Sequence, residues 1–244
     1  GGGSAGCVLA NRLSADPRNR VVLLEAGGNN ETIFVKVPAG LQKLAASPDY
    51  NWFRASEPDP SANDRQLIWF AGKGLGGGSA INGMVYIRGA PHDYDGWARE
   101  QGCTGWSWDE VLPYFKRSED FDGPESEWHG KGGPLGVSRL RAVHPLTRDF
   151  IAACTCLVLR QVEDYCSGDI DGVYVNHATQ RSGLRSSAAE AFLKPAMRRS
   201  NLRVLTGALV EKVLFEGNRA VGVRFAHNGA VQELRARAEV ILSA

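Results

Sequence analysis

Apolar residues along this chain recur in three patterns, and each predicts a different element. Cys7, Val8, Leu9 and Leu13 follow a glycine-rich start at helical spacing, and Ser14-Ala15-Asp16-Pro17 stops that helix before a proline. Val21-Val22-Leu23-Leu24 is then a continuous apolar run, as a parallel strand covered on both faces requires. Helix and strand read as the second half of a βαβ unit. Near the other end, Leu202 to Leu205 is a further strand, followed by apolar runs at Val210 to Phe215, Ala220 to Ala226 and Val231 to Ala236. Gly217-Asn218 and Asn228-Gly229 separate those runs with tight-turn residues, so they predict an antiparallel meander. Val240-Ile241-Leu242 is expected to return to the parallel sheet.

The middle of the chain is less regular. Pro38, Pro48, Pro58 and Pro60 break any long element between Asn29 and Arg65. A polar-faced helix is expected from about Asp93 to Gly102, and Ser107-Trp108-Asp109-Glu110 reads as a capping box for another. Leu135 to Ser138 is a short strand by pattern. Pro145 to about Gln161 is helical, with Phe150, Ile151, Leu157 and Leu159 as expected core. Gly172 to Gln180 is a strand carrying His177 and Gln180, and Ser187 with Glu190 opens a helix that Pro195 limits.

Composition narrows the function classes. With 244 residues, 43% of them hydrophobic, the chain can bury a real core. Its 28 basic and 27 acidic residues leave a net charge of +1, which provides no general field for nucleic acid or an anionic membrane. Arg181, Arg185, Arg198 and Arg199 are read as solvated surface, and so are the paired carboxylates Glu119 and Asp120. No apolar run is long enough for a transmembrane helix. No signal-peptide pattern opens the chain, so the expected location is the cytoplasm. The five cysteines, Cys7, Cys103, Cys154, Cys156 and Cys166, show neither paired spacing nor histidines at zinc spacing, so free thiols and no metal site are expected. His129 lies in a glycine- and charge-rich loop and is expected to be exposed.

Candidate chemistry begins with Gly1-Gly2-Gly3-Ser4-Ala5-Gly6, which spells G-x-G-x-x-G. A flexible linker has the same composition, but the helix and strand that follow favour a pyrophosphate-binding turn. Gly1, Gly3, Ser4, Ala5 and Gly6 would then face the phosphates at a helix N-terminus. Glu25 closes the strand nineteen residues beyond Gly6, where an acidic side chain accepts ribose hydroxyls. Ala26-Gly27-Gly28 follows it with no arginine for a 2′-phosphate, so NADP is disfavoured, while FAD and NAD both remain open.

The stretch from Gly72 to Gly89 is the most specific in the chain. Its glycines let main chain lie against a flat or charged ligand, with Lys73 and Ser79 adding a charge and a hydroxyl. Through Gly76-Gly77, Gly78-Ser79, Asn82, Tyr86, Gly89 and Asp95 the sequence resembles the glucose-methanol-choline (GMC) oxidoreductases, flavoenzymes that oxidise alcohols. Met84-Val85-Tyr86-Ile87-Arg88-Gly89 is similar to their choline and alkanol dehydrogenase branch. The likeness weakens at Leu157-Val158-Leu159-Arg160, where a glycine-rich turn is expected, and at Tyr165-Cys166-Ser167-Gly168-Asp169.

That resemblance implies an α/β fold, an FAD-binding Rossmann-like domain of GMC type with an antiparallel meander, plus part of an α+β substrate-binding domain. The FAD-binding domain would take residues 1–140 and 201–244, and the substrate-binding part 141–200. The resemblance places Gly1, Gly3, Ser4, Ala5, Gly6, Glu25 and Ala26 on the ADP half of FAD. It sets Lys73, Gly77, Gly78, Ser79, Asn82, Gly83, Met84 and Val85 along the flavin. Trp52 is held as a further contact, and the main chain of Val210 would meet the adenine. Some members attach flavin through a histidine just before the asparagine; Ile81 stands there, so FAD is expected to be non-covalent.

The implied reaction is hydride transfer from an alcohol carbon to flavin N5, with choline, alkanols or aromatic alcohols as substrate and the electron acceptor open. A lyase that keeps FAD for structure and an inactive remnant are the alternatives. None of the five histidines matches the family's catalytic ones, so no catalytic residue is assigned. The chain is expected to be a fragment of a longer enzyme whose sheet lacks its first strand, and to bind FAD poorly alone.

Overall fold

Val21–Leu24 forms where its apolar run predicts and pairs in parallel with Leu202–Leu205, the register running Val21 with Leu202 to Leu24 with Leu205. The computed structural model describes residues 1–244, which divide into two compact units. The first holds Gly1–Gly83 and Gly183–Ala244, the second Met84–Ser182.

In the first unit the helix Ser4–Leu13 turns Gly6, Cys7 and Ala10 inward and ends at Ser14, whose hydroxyl donates to the Ala10 carbonyl at 2.6 Å. The meander comprises Leu209–Glu216, Arg219–His227 and Ala230–Arg235, each within a residue or two of its apolar run. Asn228 and Gly229 both hold positive φ, as a two-residue hairpin turn demands. Leu24, Ala208, Val223 and Phe225 form one buried cluster, and Val35, Leu44, Ala80 and Ile81 another. Ala189–Leu193 is a wide π-type turn that runs into the helix Lys194–Ala196. The expected return strand at 240–242 is absent: those residues have no ladder partner, and Val240 packs against the first cluster instead. An apolar run becomes a strand only where a neighbouring backbone is free to pair with it.

The second unit is built from helices Pro91–Glu100, Trp108–Ser118 and Pro145–Cys156 and from short two-stranded pairings. Glu110 accepts both the Ser107 N–H and hydroxyl, so its carboxylate caps the second helix as its spacing predicts. Glu119–Phe121 pairs with Leu135–Val137 in parallel, and Val85–Tyr86 pairs with His177–Ala178 antiparallel. The core is Tyr86, Phe121, Val137, Val162, Tyr165 and Cys166.

Several expectations fail in this unit. The helix from Pro145 stops at Cys156, and Val158 takes φ +72°, which α-helix cannot continue through. Phe150, Leu157 and Leu159 are exposed and only Ile151 is buried, because apolar spacing marks a face without naming what covers it. Of Gly172 to Gln180, His177–Ala178 and Gln180 lie in ladders, along with an isolated bridge at Val173. The compact units divide at 83/84 and 182/183. Pairings such as Tyr86 with His177, both buried, draw residues from both sides of position 140 into one core.

Candidate functional site

Glu25 organises the glycine-rich end of the first unit. Its Oε2 accepts the Gly2 N–H at 2.6 Å, and its Oε1 accepts Gly27 N–H at 2.8 Å and Gly74 N–H at 2.9 Å. One buried carboxylate therefore ties the opening turn, the strand end and the second glycine loop together. Three of its about four acceptor positions are used by main chain, and one is left. Gly2 strengthens the same junction: its carbonyl accepts Gly76 N–H at 2.7 Å and the Cys7 thiol at 3.2 Å. Burial pushes that thiol up to about 11.

The opening turn has the geometry of an anion cradle. Gly3 caps the helix Ser4–Leu13 with no side-chain hydrogen bond and no acidic residue in the first turn, so the first N–H groups stay available. Ser4 and Ala5 are exposed there. A Cβ on Gly3 would meet nothing within 4 Å, whereas one on Gly6 would stand 1.9 Å from the Gly1 carbonyl oxygen. The second glycine of the motif thus faces open space, and the third is required by the close approach of main chain. These residues fit a dinucleotide pyrophosphate. Ala26, half-buried, continues from Glu25.

The second loop lies against the first. Gly77 holds φ +50°, and a Cβ there would come within 2.7 Å of Gly3 Cα, so both conformation and contact demand glycine. Gly78 and Gly83 are exposed, with open space where side chains would project. Ser79 Oγ donates to the Gly76 carbonyl at 2.6 Å and accepts Ala188 N–H at 2.9 Å, so its hydroxyl shapes the loop. Lys73 sits with its ammonium 4.9 Å from the centre of the exposed Trp52 ring, which brings those two predicted residues together.

Arg185, expected on the surface, is buried and clamps this loop. Its Nε donates to the Val35 carbonyl at 3.0 Å, and one terminal nitrogen donates to the carbonyls of Ser79 at 3.2 Å and Asn82 at 2.8 Å and to Asn82 Oδ1 at 2.8 Å. Burial lowers its pKa, and carbonyl dipoles supply its stabilisation. No spacing rule marks such an arginine, because its acceptors lie more than a hundred residues away.

The remaining predicted residues are placed separately. Val210 is at the exposed limit beside a register shift between Val210 and Lys212. In the second unit Met84 is buried with φ +62°, and its carbonyl accepts Thr179 N–H at 2.8 Å, while Val85 next to it is exposed. A non-glycine residue at positive φ is strained, and such strain gathers at functional sites.

A second set of polar groups, missed in the sequence, lies inside the second unit. Glu119 is fully buried, with Oε2 accepting Arg88 at 2.9 Å and Gly130 N–H at 2.7 Å, and Oε1 meeting His129 Nδ1 at 2.9 Å. Neither Glu119 nor His129 is solvated as expected, because each finds its partners within this core. His129 Nε2 meets Asp164 Oδ1 at 3.2 Å. Burial opposes protonation of His129, yet hydrogen bonds to Asp164 and Glu119 outweigh it and raise its pKa. Burial and the neighbouring His129 lower that of His177. The only available signal was the charge-bearing loop around His129, which says nothing of depth.

Comparisons with known proteins agree with this picture. The sequence family described as GMC oxidoreductase matches residues 1–244. An oxygen-dependent choline dehydrogenase of Rhizobium etli (strain CIAT 652) is 43% identical over 244 residues, covering 100% of this chain and 44% of that protein. The chain thus spans under half the length of such curated relatives. The crystal structure of pyridoxine 4-oxidase from Mesorbium loti superposes with a TM-score of 0.90 at 38% identity, over 96% of this chain and 46% of that one. An FAD-dependent oxidoreductase from Chaetomium thermophilum gives 0.87 at 32%, over 97% and 43%. With the glycine turns, their common carboxylate anchor and a family match over the whole length, the chain belongs to the GMC oxidoreductases.

Proposed function

We propose that this chain is the FAD-holding portion of a flavoenzyme that oxidises the CH–OH group of a small alcohol to an aldehyde or ketone. The observation that carries the reading is the junction of two glycine loops on Glu25, with the uncapped helix N-terminus and the open face of Gly3 beside it. Gly1, Gly3, Ser4, Ala5 and Gly6 hold the pyrophosphate, and Glu25 with Ala26 takes the ribose. Lys73, Gly77, Gly78, Ser79, Asn82, Gly83, Met84 and Val85 hold the flavin portion, with Trp52 and Val210 as outer contacts. Bound FAD supplies the hydride acceptor. The chain's own part is to bind and orient: Arg185 and Ser79 keep the loop main chain in one shape, so its N–H groups need no reorganisation.

The substrate reading, choline, an alkanol or an aromatic alcohol, rests on the branch-like segment Met84 to Gly89 and on the choline dehydrogenase relatives. FAD is held non-covalently, since Ile81 offers no nucleophile for attachment. In the intact protein, acid precipitation is expected to leave the yellow colour in the supernatant, and anaerobic addition of alcohols from the three classes is expected to bleach the flavin with at least one of them. Colour retained in the pellet would overturn the non-covalent reading. Flavin that stays oxidised with every alcohol would point to the FAD-containing lyase alternative.

A further inference from the structure

Away from the glycine loops, side chains from three separate stretches of the second unit converge on one point. His129, Asp164, Cys166 and His177 each present a ligand-capable atom, and these atoms lie within 4.8 Å of one another. His129, Cys166 and His177 are buried, and His177 Nδ1 has no hydrogen-bond partner. A buried imidazole nitrogen left unpaired costs free energy that a ligand at this point would remove. His129 is already oriented from behind, with Nδ1 on Glu119 at 2.9 Å and Glu119 itself fixed by Arg88 and Gly130. Metal-binding histidines are held by a carboxylate on the far ring nitrogen in this way.

We propose that His129, Asp164, Cys166 and His177 form a structural site for one Zn²⁺. Two imidazoles, a thiolate and a carboxylate oxygen suit this borderline-soft cation and not Mg²⁺ or Ca²⁺, which take oxygen ligands. Tetrahedral donors about 2.0–2.3 Å from zinc stand roughly 3.3–3.8 Å apart, so the present group closes with side-chain shifts of about 1 Å. Four protein donors fill the tetrahedron and leave no open position, which makes the site structural. Charge balances as well: the dication meets one thiolate and one carboxylate, and both the Cys166 thiol proton and the His129 Nε2 proton that faces Asp164 pass to water. The cation would pin the loop at His129, the turn Tyr165–Ser167 and the strand His177–Ala178 to one another. Asp164, whose side chain is 32% exposed, gives it a way in. The site stands independently of the flavin reading.

The intact chain, loaded with Zn²⁺ and dialysed against metal-free buffer, is expected to retain one zinc per chain by atomic absorption. Replacement by Co²⁺ should give the intense visible bands of a tetrahedral complex and a thiolate-to-cobalt charge-transfer band. Cys166→Ser should abolish the charge-transfer band, and both it and His177→Ala should weaken zinc binding about tenfold or more. The control Cys156→Ser, at an exposed thiol, should change nothing. Absence of stoichiometric zinc, a pale octahedral cobalt spectrum, or bands that survive in folded Cys166→Ser and His177→Ala would overturn the proposal. Circular dichroism establishes which variants fold; if neither does, the cobalt spectrum of the unaltered chain decides.

Discussion

Glu25 and Glu119 are both buried glutamates, and the two units stabilise them by different means. Glu25 is held by three main-chain N–H groups, all from glycines. Glu119 is held by Arg88, His129 and a single main-chain N–H. Main-chain donors around Glu25 exist because glycines let three segments approach, so that site is a property of backbone geometry. The Glu119 site is a property of side chains and leaves an ion pair with almost no solvent, the two side chains being 1% and 0% exposed. Each carboxylate has three partners, but Glu25 stands beside the open face of Gly3. Glu119 is enclosed on all sides and serves to hold the core together.

The largest effect expected from this contrast is on Glu119. Glu119→Ala leaves Arg88 buried without its counter-charge and should cost about 3–5 kcal/mol in urea unfolding, measured in chelator to keep any bound cation out of the comparison. A loss under about 1 kcal/mol would show that the pair is not what stabilises this core. Glu25→Ala, which leaves three N–H donors unanswered but no buried cation, should cost less, about 2–3 kcal/mol. If the two losses came out in the reverse order, the distinction between main-chain and side-chain stabilisation would collapse.

Gly3→Ala sharpens the ligand side of the comparison. Its Cβ would enter open space, so stability should shift by at most about 1 kcal/mol, near the cost of alanine at an N-cap. The FAD dissociation constant of the intact protein should rise about tenfold, or about 1.4 kcal/mol. Unchanged FAD affinity would remove Gly3 from the pyrophosphate site.

The smallest effect concerns strain. Gly74, Gly76 and Gly77 take positive φ in the first unit, but Val158 in the second sits at φ +72° with a β-branched side chain. Val158→Gly should therefore raise stability by about 1 kcal/mol, seen as a melting temperature higher by about 2–4 °C. A lower melting temperature would mean the valine has packing value that its 93% exposure does not suggest.

Much of the first unit was legible in the sequence. The opening turn, the strand at Val21, the three meander strands and their two turns follow from local periodicity and from residues that tolerate positive φ. The strand expected at 240–242 failed because pairing depends on a neighbour, which no local pattern reports. Arg185 was misread for a similar reason: a charged residue reads as surface unless its acceptors are known, and those lie on a distant loop. In the second unit the helix starting at Pro145 was found, but not which of its residues would be covered.

By itself, then, the sequence determined the two glycine loops, the acidic residue that closes the strand and the family to which they belong. These depend on backbone conformation over a few residues, which residue type controls directly. The tertiary structure alone decided that Glu25 joins both loops, that Arg185 is interior, and that His129, Asp164, Cys166 and His177 meet. Residues 129 and 177 are 48 positions apart, at no metal-binding spacing, and chain distance says nothing of separation once side chains are packed into one core. Burial is a property of the whole fold, and it turned a loop histidine and a lone cysteine into neighbours.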